Sequence, residues 1–287
     1  MEVKLTLPDN TETTELRELL EETWLVPRKV RHLLRTRKNV AVNGEVTQFH
    51  LEVKAGDTIT LTFEDSDYGQ PDLELGNAEL VTVLFEDEHM LIVNKPYGMK
   101  THPNQPSENE TLLNHVAAYL APQNLFPYVV HRLDKETSGA ILIAKNPFVL
   151  PILGRMLEAR EIKRTYQGIA SGSMKQTYLT INKKIGRDRH DKRKRLVSDH
   201  QGQTAITHVT VEETSNTQSF VSCVLETGRT HQIRVHLQSI GHPLVGDPLY
   251  NPRPQEADRL MLHARSLSLV HPFTKELIDV KAEPGLW

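Results

Sequence analysis

His131-Arg-Leu-Asp-Lys-Glu-Thr-Ser-Gly139 runs directly into Ala140-Ile-Leu-Ile-Ala144. Charged and turn-forming residues give way to an apolar run of strand length, so the segment reads as a loop delivered onto a buried strand, where a scaffold presents reactive groups. By composition alone, Arg132, Asp134, Lys135 and Glu136 also fit an ordinary solvated turn. Working outward, Leu80-Val-Thr-Val-Leu-Phe85, Met90-Leu-Ile-Val-Asn94 and Arg164-Thr-Tyr-Gln-Gly-Ile-Ala170 read as further strands. Residues 111–120 and 148–160 read as helices. The connections are too varied for a regular doubly wound fold and predict an α+β domain with one large mixed, mainly antiparallel sheet. There are no repeats and no glycine-rich phosphate loop.

The first 65 residues have a different texture. Thr14 is placed to cap a helix carrying Leu16, Leu19, Leu20 and Trp24 at the helical period. Pro27 suits the first turn of a second helix, with Val30, Leu33 and Leu34 on one side and Arg28, Arg31 and Arg35 facing outward on the other. Asn43-Gly44 supplies the two positive-φ residues of a tight hairpin turn, and residues 57–63 alternate as a half-buried strand. Residues 65–71 have linker composition, which predicts a small α/β unit over 1–65, a linker over 66–78 and a large domain over 79–287.

Charge is segregated. The 287-residue chain has 34 Lys and Arg against 37 Asp and Glu. Residues 27–38 and 183–195 are each net +6, which leaves −15 for the remainder. Such separation points to an anionic ligand met at particular places, although either run alone could be a solvated face. A single cysteine, Cys223, excludes an internal disulfide framework and a cysteine-based zinc site. The first residues carry neither a signal peptide nor a spanning segment, which predicts a cytoplasmic protein with no membrane partner. His231 and His236 do not share a helix face, so no metal site is expected.

Several motifs in fixed order change the weight of the opening segment. HRLD followed by TSG is the signature of the RluA class of pseudouridine synthases, which the chain resembles over residues 80–280. Asn94-Lys-Pro with Gly98 and His102-Pro103, the Lys163-Arg-Thr-Tyr166 stretch as its K-x-Y motif, residues 228–237 with Gly241-His-Pro-Leu-Val-Gly-Asp-Pro248, and Leu262-His-Ala264 all fit that class. The order of elements in residues 1–63 resembles the αL RNA-binding domain of ribosomal protein S four.

The resemblance implies an RNA isomerase without a cofactor, acting on ribosomal RNA of the large subunit, with transfer RNA as the alternative, and working as a monomer. It assigns Asp134 as the catalytic carboxylate, Arg234 as its paired cation, with Arg229 as the other candidate, and Tyr166 as the platform under the target base. His131, Arg132, Arg229 and Lys163 are implied to contact RNA, and Lys192, Arg193 and Arg195 lie where the family has a loop reaching towards it. Asp134 could add to ribose carbon 1′, act on the neighbouring sugar proton, or add to ring carbon 6. A hydrolase using Asp134 as nucleophile, or a binding protein without activity, are the competing readings. Removing residues 1–65 is expected to alter RNA binding and spare the chemistry.

Overall fold

A computed structural model describes residues 1–69, 71–285 and 287. The amino-terminal unit is a four-stranded sheet in the order Glu2–Thr6, Thr58–Thr62, Val40–Val42, Glu45–Val46. Asn43 and Gly44 have φ of 52° and 86°, as the hairpin reading requires. The first helix differs from expectation. Thr14–Glu15 instead pairs with Glu52–Val53, and the helix begins at Leu16 and widens into a π-helical Leu19–Thr23. The amides of Leu16 and Arg17 donate to Leu51 O and Phe49 O at 2.9 Å, so a neighbouring loop caps this terminus and Thr14 is not needed there.

The second helix, Arg28–Arg37, follows Pro27 and ends at Lys38, whose φ is 57°. Val30 and Leu34 are buried. Its basic face is not uniformly free: Arg31 pairs with Glu21 and donates to Val26 O, while Arg37 pairs with Asp67 at 2.6 Å and Glu64 at 3.1 Å. Arg28, Lys29 and Arg35 are exposed. The stretch expected to be a linker is also fastened. Asp67 is buried against Arg37, and the Tyr68 ring meets Phe63 edge-on at 5.4 Å. Further on, Asn114 Nδ2 donates to Glu74 O at 2.7 Å, and the Asn77 amide to His115 Nδ1 at 2.9 Å. Gln70, within that stretch, lies outside the described residues.

The large sheet has ten strands among the described residues. Eight lie in the order Tyr178–Asn182, Ile206–Thr214, Gln218–Leu225, Lys163–Ser171, Leu262–Val270, Ser138–Ala144, Met90–Lys95, Val83–Glu86. Only the Ser138–Ala144 and Leu262–Val270 pair is parallel among them. The sheet is therefore mainly antiparallel and the fold α+β. The strand expected from Leu80 starts at Val83, because Asn77 Oδ1 accepts the Glu79 amide and winds Ala78–Leu80 into a short 3-10 turn.

Side chains alternate along Ser138–Ala144. Ala140, Leu142 and Ala144 enter one core, and Ile141 and Ile143 the other. That is why this strand reads as a continuous apolar run. The first core also contains Leu16, Leu20 and Trp24 of the amino-terminal unit, with Trp24 edge-on to Phe148 at 5.7 Å and to Phe273 at 6.3 Å. The two units thus share one hydrophobic interior. Among the described residues no helix is long and apolar enough to cross a membrane.

Candidate active site

The loop of residues 131–137 is held on both sides. Leu133 is buried, and its carbonyl accepts from Thr101 Oγ1 at 2.7 Å. The Lys135 carbonyl accepts from the Gly98 amide at 2.9 Å and from Lys95 Nζ at 3.3 Å. Lys95 also donates to Met99 O at 2.7 Å and is fully buried. Burial pulls its ammonium down to about 7, against the opposing pull of Asp134 and Glu136. Where the loop joins the sheet, Gly139 has φ of 117°, and a side chain there would lie 2.3 Å from Ala264 O. The glycine of TSG is thus required by the close parallel crossing of two backbones.

The loop forms one wall of an open cavity of about 520 Å³ containing Asp134, Tyr166, Arg132, Arg164, Arg229 and Arg234. Asp134 Oδ2 lies 3.5 Å from Arg234 Nη1 and 3.8 Å from His231 Nε2. Arg234 stands on the buried side of the helix Gln232–Ser239 with no solvent exposure. Its main partner is Asp247, through Nε–Oδ2 and Nη2–Oδ1 bonds of 2.8 Å each. Burial alone would lower the Arg234 pKa, but the bonds to Asp247 outweigh it and hold the guanidinium above its ordinary range. Asp247 also accepts from the amides of Leu249 and Tyr250, and the Tyr250 ring lies 5.1 Å from the guanidinium carbon. Asp247 therefore fixes Arg234, which leaves Nη1 for Asp134 and, at 3.8 Å, Glu136. Arg229, the other candidate cation, is exposed, donates to Thr204 O at 3.0 Å and forms no ion pair among the described residues.

Tyr166 is buried in the strand Lys163–Ser171 and lines the cavity; burial raises its phenol pKa. The strand's alternation points Arg164 and Tyr166 inward and leaves Lys163 exposed, so Arg164 replaces Lys163 as the basic residue of the cavity. His131 is also buried in the wall. Its Nε2 accepts from the Leu142 amide at 3.1 Å, and burial first, then the charge of Arg164, lowers its pKa to about 3. It is a neutral group of the cavity wall, turned to the interior and not to the outer surface. Arg132 is exposed and reaches Thr230 Oγ1 at 2.8 Å.

A second pocket of about 300 Å³ adjoins the first and shares Gly228, Arg229 and Thr230 with it. It is lined by Arg187 and Arg195, which face each other across the hairpin Ile185–Arg187 and Arg195–Val197. Like charges in register repel, and an anion between them relieves this. Lys192 and Arg193 are exposed at the tip, with Arg193 paired to Asp191 at 2.8 Å. Both ring nitrogens of His236 are engaged, by Thr207 Oγ1 and Lys183 O. Sequence reading did not assign Asp247, Lys95 or Arg164. Asp247 and Lys95 stood inside quoted motifs, and Arg164 was marked by its two-residue offset from Tyr166.

A carboxylate 3.5 Å from a buried arginine thus shares one cavity of a mainly antiparallel sheet with a buried tyrosine. In comparison with known proteins, residues 89–239 match the family model described as RNA pseudouridylate synthase, and residues 3–59 that of the RluD ribosomal pseudouridine synthase N-terminal domain. The chain belongs to the RNA pseudouridylate synthase family and is an isomerase. It is 43% identical over 249 residues to the uncharacterized RNA pseudouridine synthase YhcT of Bacillus subtilis (strain 168), covering 85% of this chain and 81% of that one. It is 34% identical over 290 residues to ribosomal large subunit pseudouridine synthase D of Nitrosomonas europaea, covering 96% and 83%. Among solved structures, human RNA pseudouridylate synthase domain containing 1 superposes with a TM-score of 0.62 at 28% identity, covering 75% of this chain and 88% of that one.

Proposed function

We propose that the chain converts specific uridines of large-subunit ribosomal RNA to pseudouridine, with Asp134 as the reacting carboxylate, Arg234 orienting it and Tyr166 under the base. The observation that carries this reading is the chain Asp247–Arg234–Asp134, which aims one carboxylate into a cavity walled by Tyr166. Two relatives named as large-subunit ribosomal enzymes support the choice of RNA. The target uridine must leave its stack to reach Asp134, at a cost of about a few kcal/mol. Arg132, at the cavity mouth, is placed to occupy the vacated position by stacking or by phosphate contact.

Residues 79–287 supply the chemistry. Residues 1–65 supply an RNA-binding face through Arg28 and Arg35. Arg229 and Arg195 beside the cavity, with Lys192 and Arg193 at the hairpin tip, offer a second basic surface to the RNA backbone. The isomerisation has no redox change and no net hydrolysis, so its balance requires no cofactor. The protein acts as a monomer in the cytoplasm, where its substrate is made.

The test is a map of pseudouridine in RNA from cells lacking the protein, by carbodiimide labelling and primer extension. Loss of a stop in large-subunit ribosomal RNA is expected. Loss confined to transfer RNA would redirect the substrate, and no lost stop at all would remove the proposal.

A further inference from the structure

Arg164 is nine-tenths buried in the strand that carries Tyr166, two residues before it and on the same face. Among the described residues it forms no ion pair and no side-chain hydrogen bond, and its Nε is buried without a partner. Its guanidinium lies under the Gly228 turn: a side chain built on Gly228 would sit 3.5 Å from Nη1. His131, on the same cavity wall, has a second orphan. Its Nε2 accepts from the Leu142 amide, which puts the proton of the neutral ring on Nδ1, and Nδ1 is buried without an acceptor. Folded proteins rarely leave such buried donors unsatisfied, and one on a charged group is costlier than most. Two of them beside a base platform point to an acceptor that the substrate brings.

Phosphate is the less suitable acceptor, because Arg132 and Arg229, exposed at the mouth, already face the backbone side. Uracil brings two carbonyl oxygens. When the bond between N1 and carbon 1′ breaks, its electron pair stays on the ring and spreads to O2 and O4. The pair at carbon 5 then forms the new bond to carbon 1′, the proton on carbon 5 leaves and N1 takes up a proton. Addition of Asp134 to ring carbon 6 would load one of these oxygens, O4. We propose that Arg164, helped by His131 Nδ1–H, is a catalytic residue that grips the uracil carbonyls and stabilises the negative charge gathered there while the ring is detached.

This rests on the reading of Asp134 as the reacting group. The experiment compares full-length wild type, Arg164→Met, Arg164→Lys and Asp134→Asn in single-turnover assays on RNA spanning a uridine that the wild type modifies. Arg164→Met is expected to slow turnover by about 10²–10³-fold, the usual loss for one charge-stabilising donor. RNA affinity and its salt slope are expected to stay at wild-type values. Arg164→Lys is expected to recover part of the rate and serves alone where the methionine variant does not fold. A 5-fluorouridine target, whose fluorine stabilises the ring anion, is expected to shrink the penalty to about tenfold. Consumption of the nucleoside is read by digestion and chromatography. Weaker binding with a shallower salt slope and an unchanged rate would make Arg164 a phosphate ligand and overturn the proposal. So would an unchanged rate, or an equal loss with both nucleosides. Turnover by Asp134→Asn would instead remove the reading beneath it, whatever Arg164 does.

Discussion

Asp134 works through its neighbours. Arg234 has no access to water and three carboxylates within 4 Å, of which Asp247 is the nearest, so the geometry at Asp134 is set by a residue 113 positions along the chain. Asp134→Asn is expected to abolish turnover while RNA binding persists, checked by pseudouridine formation against filter-binding affinity. Asp247→Ala leaves a buried guanidinium half paired. It is expected to lower stability by about 3–5 kcal/mol and to reduce turnover, measured by urea denaturation alongside single-turnover rates. His131 gives a pH signature. Its folded pKa, about 3, lies below the ordinary 6.5, so the unfolded chain binds a proton that the folded chain refuses between those values. Stability therefore falls as pH drops below about 6.5, and His131→Gln should flatten the decline of Tm with acid. His89, His236 and His263, lowered mainly by burial, act in the same sense, so the slope should shrink without vanishing. That Asp134, Arg234 and Tyr166 meet in one cavity was legible because each stands in a quoted motif. Asp247 was not, since letters do not say which buried charge meets which.

At the scale of elements, the strands were legible where burial on both faces leaves an unbroken apolar run, as in Ser138–Ala144. Their starts were less so, because Asn77 and the loop carbonyls at Phe49 and Leu51 decide local winding from outside the element. Lys163 was favoured over Arg164 by the letter K, whereas the pleat sets which basic residue shares Tyr166's face. Gly139 is the tightest point of the sheet. Gly139→Ala is expected to cost more than about 2 kcal/mol, because it adds positive-φ strain to an overlap with Ala264, and urea denaturation reads the loss. The hairpin closed by Arg187 and Arg195 exposes Lys192 and Arg193 at its tip, and under the proposed function this charge meets RNA. Replacing Lys192, Arg193 and Lys194 by Gln should reduce the salt slope of RNA binding by about 2–3 and leave the bound-state rate unchanged, read by titration across ionic strength.

For the whole molecule, the expectation that residues 1–65 could be removed without consequence for the chemistry does not survive the packing. Their removal strips Leu16, Leu20 and Trp24 from the interior and uncovers Phe148 and Phe273. The truncated chain is expected to aggregate or melt well below the full chain by circular dichroism, which confounds any RNA-binding comparison. Exchanging Arg28, Lys29 and Arg35 for Gln tests the basic face with the interior intact. Periodicity announced two amphipathic helices but could not say that the apolar side of the first is pressed against a distant phenylalanine pair. That seating sets a dimension. With Trp24 wedged at Phe148 and Phe273, the exposed basic helix and Asp134 stand at a constant span, like the jaws of a gauge. If the helix grips RNA as proposed, a uridine should reach the carboxylate only when the RNA's own fold separates the two by that same length, and selection would then fall on distance as much as on nucleotide letters.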